Sequence, residues 1–139
     1  MDNETKVTEN NNRSDLMPLL GNRTIKFRAW DTERKEMLLP GRLCHLEGYA
    51  TEALKESAPY LILMQFTGLK DKNGKEIYEG DILETSKTFH LLKKFVVVFK
   101  DGSFVPDNFV VLALNKNPFS EYEVIGNIFE NPELLKEVA

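Results

Sequence analysis

A single cysteine, Cys44, excludes an internal disulfide framework and makes a reducing compartment the natural setting. His45 and His90 are the two histidines of the chain. With one cysteine they fall short of the roughly four suitably spaced ligands that a zinc site needs. Cys44 and His45 are adjacent, and neighbours on a strand point to opposite faces, so a nucleophile–base pair there is disfavoured. The sequence lacks a Gly-x-Ser-x-Gly turn, a Gly-x-x-x-x-Gly-Lys phosphate loop and a dinucleotide fingerprint. Its carboxylates are many but scattered, with none paired for acid–base work. These absences predict no catalytic residue, no metal site and no cofactor, hence a protein that is not an enzyme. No apolar run approaches the ~20 residues of a membrane helix. No basic start followed by an apolar stretch marks a secretory signal, so a cytoplasmic protein without a membrane partner is expected. A basic excess is also missing: 18 Lys and Arg face 22 Asp and Glu, for a formal charge of −4. That argues against a generally basic nucleic-acid binder and leaves a local basic patch open.

What is present is enough for one domain. The 139 residues are 42% hydrophobic and 10% aromatic, as in a globular chain. Residues 1–22 stand apart: they hold no Phe, Tyr or Trp and carry the run Asn10-Asn11-Asn12. Such a segment buries too little apolar surface to offset its ordering entropy, which predicts a disordered extension before a domain over residues 23–139. Leu16, Met17, Leu19 and Leu20 around Pro18 break that pattern; they read as a linker, or as a short motif that docks on a partner.

From residue 23 onward the signals are those of β structure. Ile25, Phe27 and Ala29 alternate with Lys26, Arg28 and Trp30, the period of a half-buried strand. Residues 37–39 would pair back across a polar turn at 32–35. Residues 51–57 (TEALKES) favour a short helix stopped by Pro59. Residues 60–66 (YLILMQF), the longest apolar run, read as a strand buried on both faces and ending at Thr67-Gly68. Asp71-Lys72-Asn73-Gly74 reads as a tight turn in which Asn-Gly supplies the positive φ angles. Glu79-Gly80-Asp81 reads as a second turn, followed by a strand through Ile82 and Leu83. Residues 95–99 (FVVVF), closed by Asp101-Gly102, form the clearest hairpin, and Pro106 marks an edge or corner. Residues 109–114 (FVVLAL) read as a further buried strand and residues 122–129 as one bent at Gly126-Asn127. Asn131 as N-cap with Pro132 at the first helical position predicts a short C-terminal helix. Six or seven short strands with Gly-marked turns indicate a small antiparallel barrel or sandwich.

Three stretches carry a resemblance: IKFRAWD (25–31), MQFTGLKDKNGKEIYEGDIL (64–83) and YEVIGNIFENPELL (122–135). In order and spacing they resemble the YopX family of phage and prophage proteins, across residues 24–135. The resemblance implies a mainly β, SH3-like barrel with short helical elements, encoded on a mobile element and oligomeric. It implies no established activity and transfers no catalytic or binding residue. Residues 1–22 lie outside it.

Two residue groups stand out. In SH3-like barrels a Gly-Asp pair opens a strand, so Glu79, Gly80 and Asp81 are read as a structural turn in which the Asp81 side chain caps backbone N–H groups. Lys26, Arg28 and Trp30 share one strand face by alternation, a candidate binding face able to stack bases and neutralise phosphates. The alternative is that the C-terminal helix or the 60–66 strand covers Trp30. Strands apolar on both faces need cover on both, which predicts a homo-oligomer. The sequence therefore favours a non-enzymatic module that binds protein, itself included or a host or phage partner. A nucleic-acid-binding accessory protein is the alternative, against which the acidic charge weighs.

Overall fold

Turn chemistry sets the strand boundaries. In the computed structural model, which describes residues 21, 23–42, 56–86, 92–108 and 119–138, Asp101 and Gly102 both take positive φ, 51° and 83°. A two-residue turn of that kind matches the twist of a hairpin, and it joins β6 (Lys94–Lys100) to β7 (Ser103–Pro106). β1 (Phe27–Asp31) turns into β2 (Glu36–Leu38) through residues 32–35. There Asp31 Oδ1 accepts the N–H groups of Glu33 and Arg34, and Lys35 takes φ 58°. β3 (Leu61–Lys70) and β4 (Glu76–Tyr78) follow, then β5 (Asp81–Glu84), and β8 (Glu123–Asn127) closes the set.

Among the described residues these eight strands form two antiparallel four-stranded sheets, ordered β2-β1-β3-β4 and β7-β6-β5-β8. The fold is mainly β. Pro106 ends the edge strand β7, where its missing N–H costs the ladder nothing. The core cluster joins Ile77 of the first sheet to Leu83, Phe95, Val97 and Val124 of the second, with Phe119 and Tyr122 from the approach to β8. Burying each such side chain contributes ~1.5–3 kcal/mol.

Four expectations are corrected. The apolar run 60–66 is not buried on both faces: Tyr60 and Ile62 are exposed, because the row they share with the buried Met64 and Phe66 runs past the core at this end. β3 also continues past Thr67-Gly68 to Lys70. It places three residues between the Phe66–Tyr78 and Lys70–Glu76 pairs where β4 places one, and Gly68 at φ 83° takes up the excess. At 71–75 only Gly74 has positive φ, 83°; the hairpin has a three-residue loop in which Gly74 N–H bonds Asp71 O and Asp71 N–H bonds Lys75 O. The C-terminal segment Pro132–Val138 is a 3₁₀ helix. Its first bond runs from Leu134 N–H to Asn131 O, while the Asn131 carboxamide oxygen turns back to accept Asn127 N–H.

Residues 1–20, the 51–55 part of the expected helix, residues 109–114, and Cys44, His45 and His90 lie outside the described residues. Among those described, no helix is long and apolar enough to cross a membrane.

Candidate functional site

The chain passes from the first sheet to the second at Glu79-Gly80, and the chemistry of this junction follows from its sequence. Gly80 has φ 83°, a conformation costly for any residue with a Cβ. A Cβ there would also meet Met64 Sδ at 3.2 Å. Gly80 N–H donates to Val97 O (2.8 Å) and Gly80 O accepts Ile128 N–H (3.0 Å), so one residue stitches β6 to the turn after β8. Glu79 faces the first sheet, where its N–H donates to Gln65 O and its Oε1 accepts Gln65 N–H. Asp81 Oδ2 accepts Tyr78 N–H at 2.8 Å and closes the turn.

Asp81 Oδ1 accepts Arg28 Nη2 at 2.8 Å, and the same nitrogen donates to Glu79 O. The two side chains are 10% and 2% exposed, so this is a buried ion pair linking β1 to β5. The guanidinium lies 4.8 Å over the Tyr78 ring. Its Nε is buried without a hydrogen-bond partner. Burial pushes the Asp81 carboxyl above its ordinary range, opposed by the Arg28 charge and the Tyr78 N–H. Burial also raises the Tyr78 hydroxyl.

Lys26, Arg28 and Trp30 do share one face, and each side chain has a partner within the chain. Lys26 pairs with Glu76 and lies 4.9 Å over the Phe66 ring. The Glu76 hydrogen bond holds its ammonium above the usual lysine range. Trp30 stacks on Phe129, with centroids 5.5 Å apart and planes at 12°. What covers Trp30 is thus the turn ahead of the C-terminal segment. Arg28 is turned inward at 8% exposure and does not offer its guanidinium to solvent phosphate. The sequence places these residues on a face but does not say that an acid on β5 waits opposite them.

A second hub was not singled out by the sequence. Asp71 Oδ1 accepts the N–H groups of Asn73 and Lys75, and Oδ2 accepts Val124 N–H, which ties the β3–β4 loop to β8. Burial pushes this carboxyl up, but the three N–H donors and the Lys75 charge outweigh it and hold it below its ordinary value. An aspartate at the first position of a turn is the signal that could have found it. The β6–β7 hairpin is the opposite kind of surface. Phe95, Val97 and Phe99 alternate along β6; the first two are core, and Phe99 is 55% exposed. Its ring meets Phe104 edge-on at 5.1 Å. The alternate residues of the hairpin, Lys100, Ser103 and Val105, line a cleft of about 110 Å³ with Asp101, well under the ~300 Å³ of small-molecule sites. Among the described residues no three His, Cys, Asp or Glu side chains group as metal ligands would.

Comparison with known proteins places this geometry. A crystal structure of protein EF1440 from Enterococcus faecalis is similar, at 29% sequence identity and a TM-score of 0.56, over 82% of this chain and 99% of that one. No curated protein matches the chain. Residues 26–136, from the lysine of the candidate face to the C-terminal 3₁₀ helix, match the profile of the YopX protein family. The chain belongs to that family.

Proposed function

We propose that this YopX-family chain is a non-enzymatic binding module that self-associates, with strands arranged as in SH3-like barrels. In this reading it is encoded by a phage or prophage and works in the cytoplasm. The observation that carries it is the β6–β7 hairpin, where the core row of β6 runs on into water as Phe99, backed by Phe104. An exposed aromatic ring at the end of a core row is the kind of surface that a protein partner desolvates. Exposed Ile62 on β3 and Leu39, just after β2, add apolar surface. The alternative, a nucleic-acid-binding accessory protein, draws less support. Its two key side chains are engaged internally, Arg28 by Asp81 and Trp30 by Phe129.

Light scattering on the purified chain tests the proposal. The expected result is a molar mass that is a multiple of 16.0 kDa and that falls toward the monomer in Phe99→Ser. A 16.0 kDa monomer at high protein concentration overturns it. Fluorescence anisotropy with single-stranded DNA, double-stranded DNA and RNA at two salt concentrations tests the alternative, which requires salt-sensitive binding weakened by Trp30→Ala.

A further inference from the structure

We propose that Asn73 is a modification site at which the chain deamidates, through a succinimide closed by the Gly74 nitrogen and gated by Asp71. Asn73-Gly74 is the one Asn-Gly pair in the sequence. It lies at the exposed tip of the β3–β4 loop. A Cβ added to Gly74 would meet nothing within 4 Å, so there is room for a five-membered imide and for water. In the reaction hydroxide removes the Gly74 amide proton and the nitrogen attacks Asn73 Cγ. The Gly74 N–Cγ bond forms, the Cγ–Nδ2 bond breaks, and Nδ2 leaves as ammonia with a proton from water. Water then opens the imide, at Cγ to give aspartate or at the backbone carbonyl to give isoaspartate. One water is consumed, one ammonia is released, and no oxidant or reductant is needed.

The folded loop holds this reaction back. Gly74 N–H donates to Asp71 O at 3.0 Å, which occupies the attacking nitrogen. The Asp71 carboxylate fixes the backbone on both sides through Asn73 N–H (2.8 Å) and Lys75 N–H (2.9 Å). Attack therefore requires a local opening of the loop. The product changes the contact with β8. Asn73 Nδ2 donates to Glu123 Oε1 at 3.2 Å; a carboxylate at 73 loses that donor and faces Glu123 as a like charge. Isoaspartate also lengthens the backbone by one bond inside a loop whose hydrogen bonds fit the normal spacing. The modification is a slow, one-way loosening of the link between the β3–β4 loop and β8.

The test is to hold the native full-length chain at mildly alkaline pH and follow the peptide of residues 67–78 by mass spectrometry. Isoaspartate is counted with an isoaspartyl methyltransferase and a labelled methyl donor. The native chain is expected to gain the mass of an amide-to-acid change at Asn73, and Asn73→Gln to gain none there. Urea-unfolded chain should react at least about tenfold faster than native. Asp71→Ala, checked as folded by circular dichroism, should fall between the two. If it does not fold, the ratio of native to unfolded rates decides the gate. A native chain unmodified at Asn73 after the unfolded chain has converted overturns the site. Equal native and unfolded rates, or a folded Asp71 variant no faster than wild type, overturn the gate.

Discussion

Two regions of this molecule use the same backbone device to opposite ends. At Gly80 and at Gly102 the chain turns through φ 83°. Around Gly80 the backbone and the neighbouring carboxylate are committed: its N–H to β6, its carbonyl to Ile128, and Asp81 to Tyr78 and Arg28. Around Gly102 an added Cβ would meet nothing within 4 Å, and the strands on either side carry the exposed Phe99 against the half-buried Phe104. The first turn is a joint between sheets and the second is a tip offered to solvent. A glycine turn in a sequence thus says where the chain reverses, and its surroundings decide whether the reversal holds the fold together or presents a surface.

The joint should break hardest at its buried charge. Asp81→Ala leaves the Arg28 guanidinium desolvated and unpaired, which is expected to cost ~3–5 kcal/mol, a large share of the ~5–15 kcal/mol by which a domain is stable. Combining Arg28→Met with Asp81→Asn removes both charges and keeps an oxygen for Tyr78 N–H, so the double variant should be more stable than Asp81→Ala alone. Urea denaturation of the three proteins checks this; a double variant no more stable than Asp81→Ala contradicts it. The glycines sharpen the contrast. Gly80→Ala combines positive-φ strain with the 3.2 Å approach to Met64 Sδ and should cost ~2–5 kcal/mol. Gly102→Ala has the strain alone and should cost ~1–2 kcal/mol. Equal costs would mean that Met64 moves aside freely.

Much of this fold was legible because its signals are local. Asp101-Gly102 set one hairpin, Pro106 marked an edge, and the alternation of Lys26, Arg28 and Trp30 gave a face. What was not legible depended on what crosses from elsewhere. Arg28 and Asp81 are 53 residues apart, and nothing near either announces the other. The run 60–66 looked doubly buried because hydrophobicity reports a demand for cover without saying which neighbours exist; Ile62 goes uncovered. Asn131 looked like a helix cap because its position relative to Pro132 is right. Its oxygen lies within 2.6 Å of where a Gly126 Cβ would sit, so glycine at 126 is what lets the Asn131 carboxamide fold back toward Asn127.

Two of the buried aspartates, Asp71 and Asp81, give the comparison a pH axis. Asp71 is held below its ordinary 3.8, so its carboxylate contributes stability that is present above that value and lost as pH falls through the lower folded-state value. Asp81 is held above 3.8. Its charged form is disfavoured in the fold, and that penalty is relieved as pH falls from neutral toward its ordinary value. Asp71→Asn should therefore flatten the acid loss of stability and Asp81→Asn should steepen it. Urea midpoints measured from neutral pH down through the carboxylate range read the two slopes, and slopes that change in the same direction would contradict the assignment.

The smallest effect on stability is expected at the tip. Phe99 sits beyond the core cluster at 55% exposure, with Phe104 as its aromatic neighbour. Phe99→Ser removes that edge-on contact and little else within the chain. Its cost to folding should stay near 1 kcal/mol, whereas truncating the same row one step inward, Phe95→Ala, should cost ~3–5 kcal/mol. If self-association uses the hairpin, Phe99→Ser should shift the monomer–oligomer balance far more than it shifts the urea midpoint of the monomer. A variant that loses stability like Phe95→Ala would place Phe99 in the core. One that leaves both stability and molar mass unchanged would move the partner surface to the exposed row at Ile62.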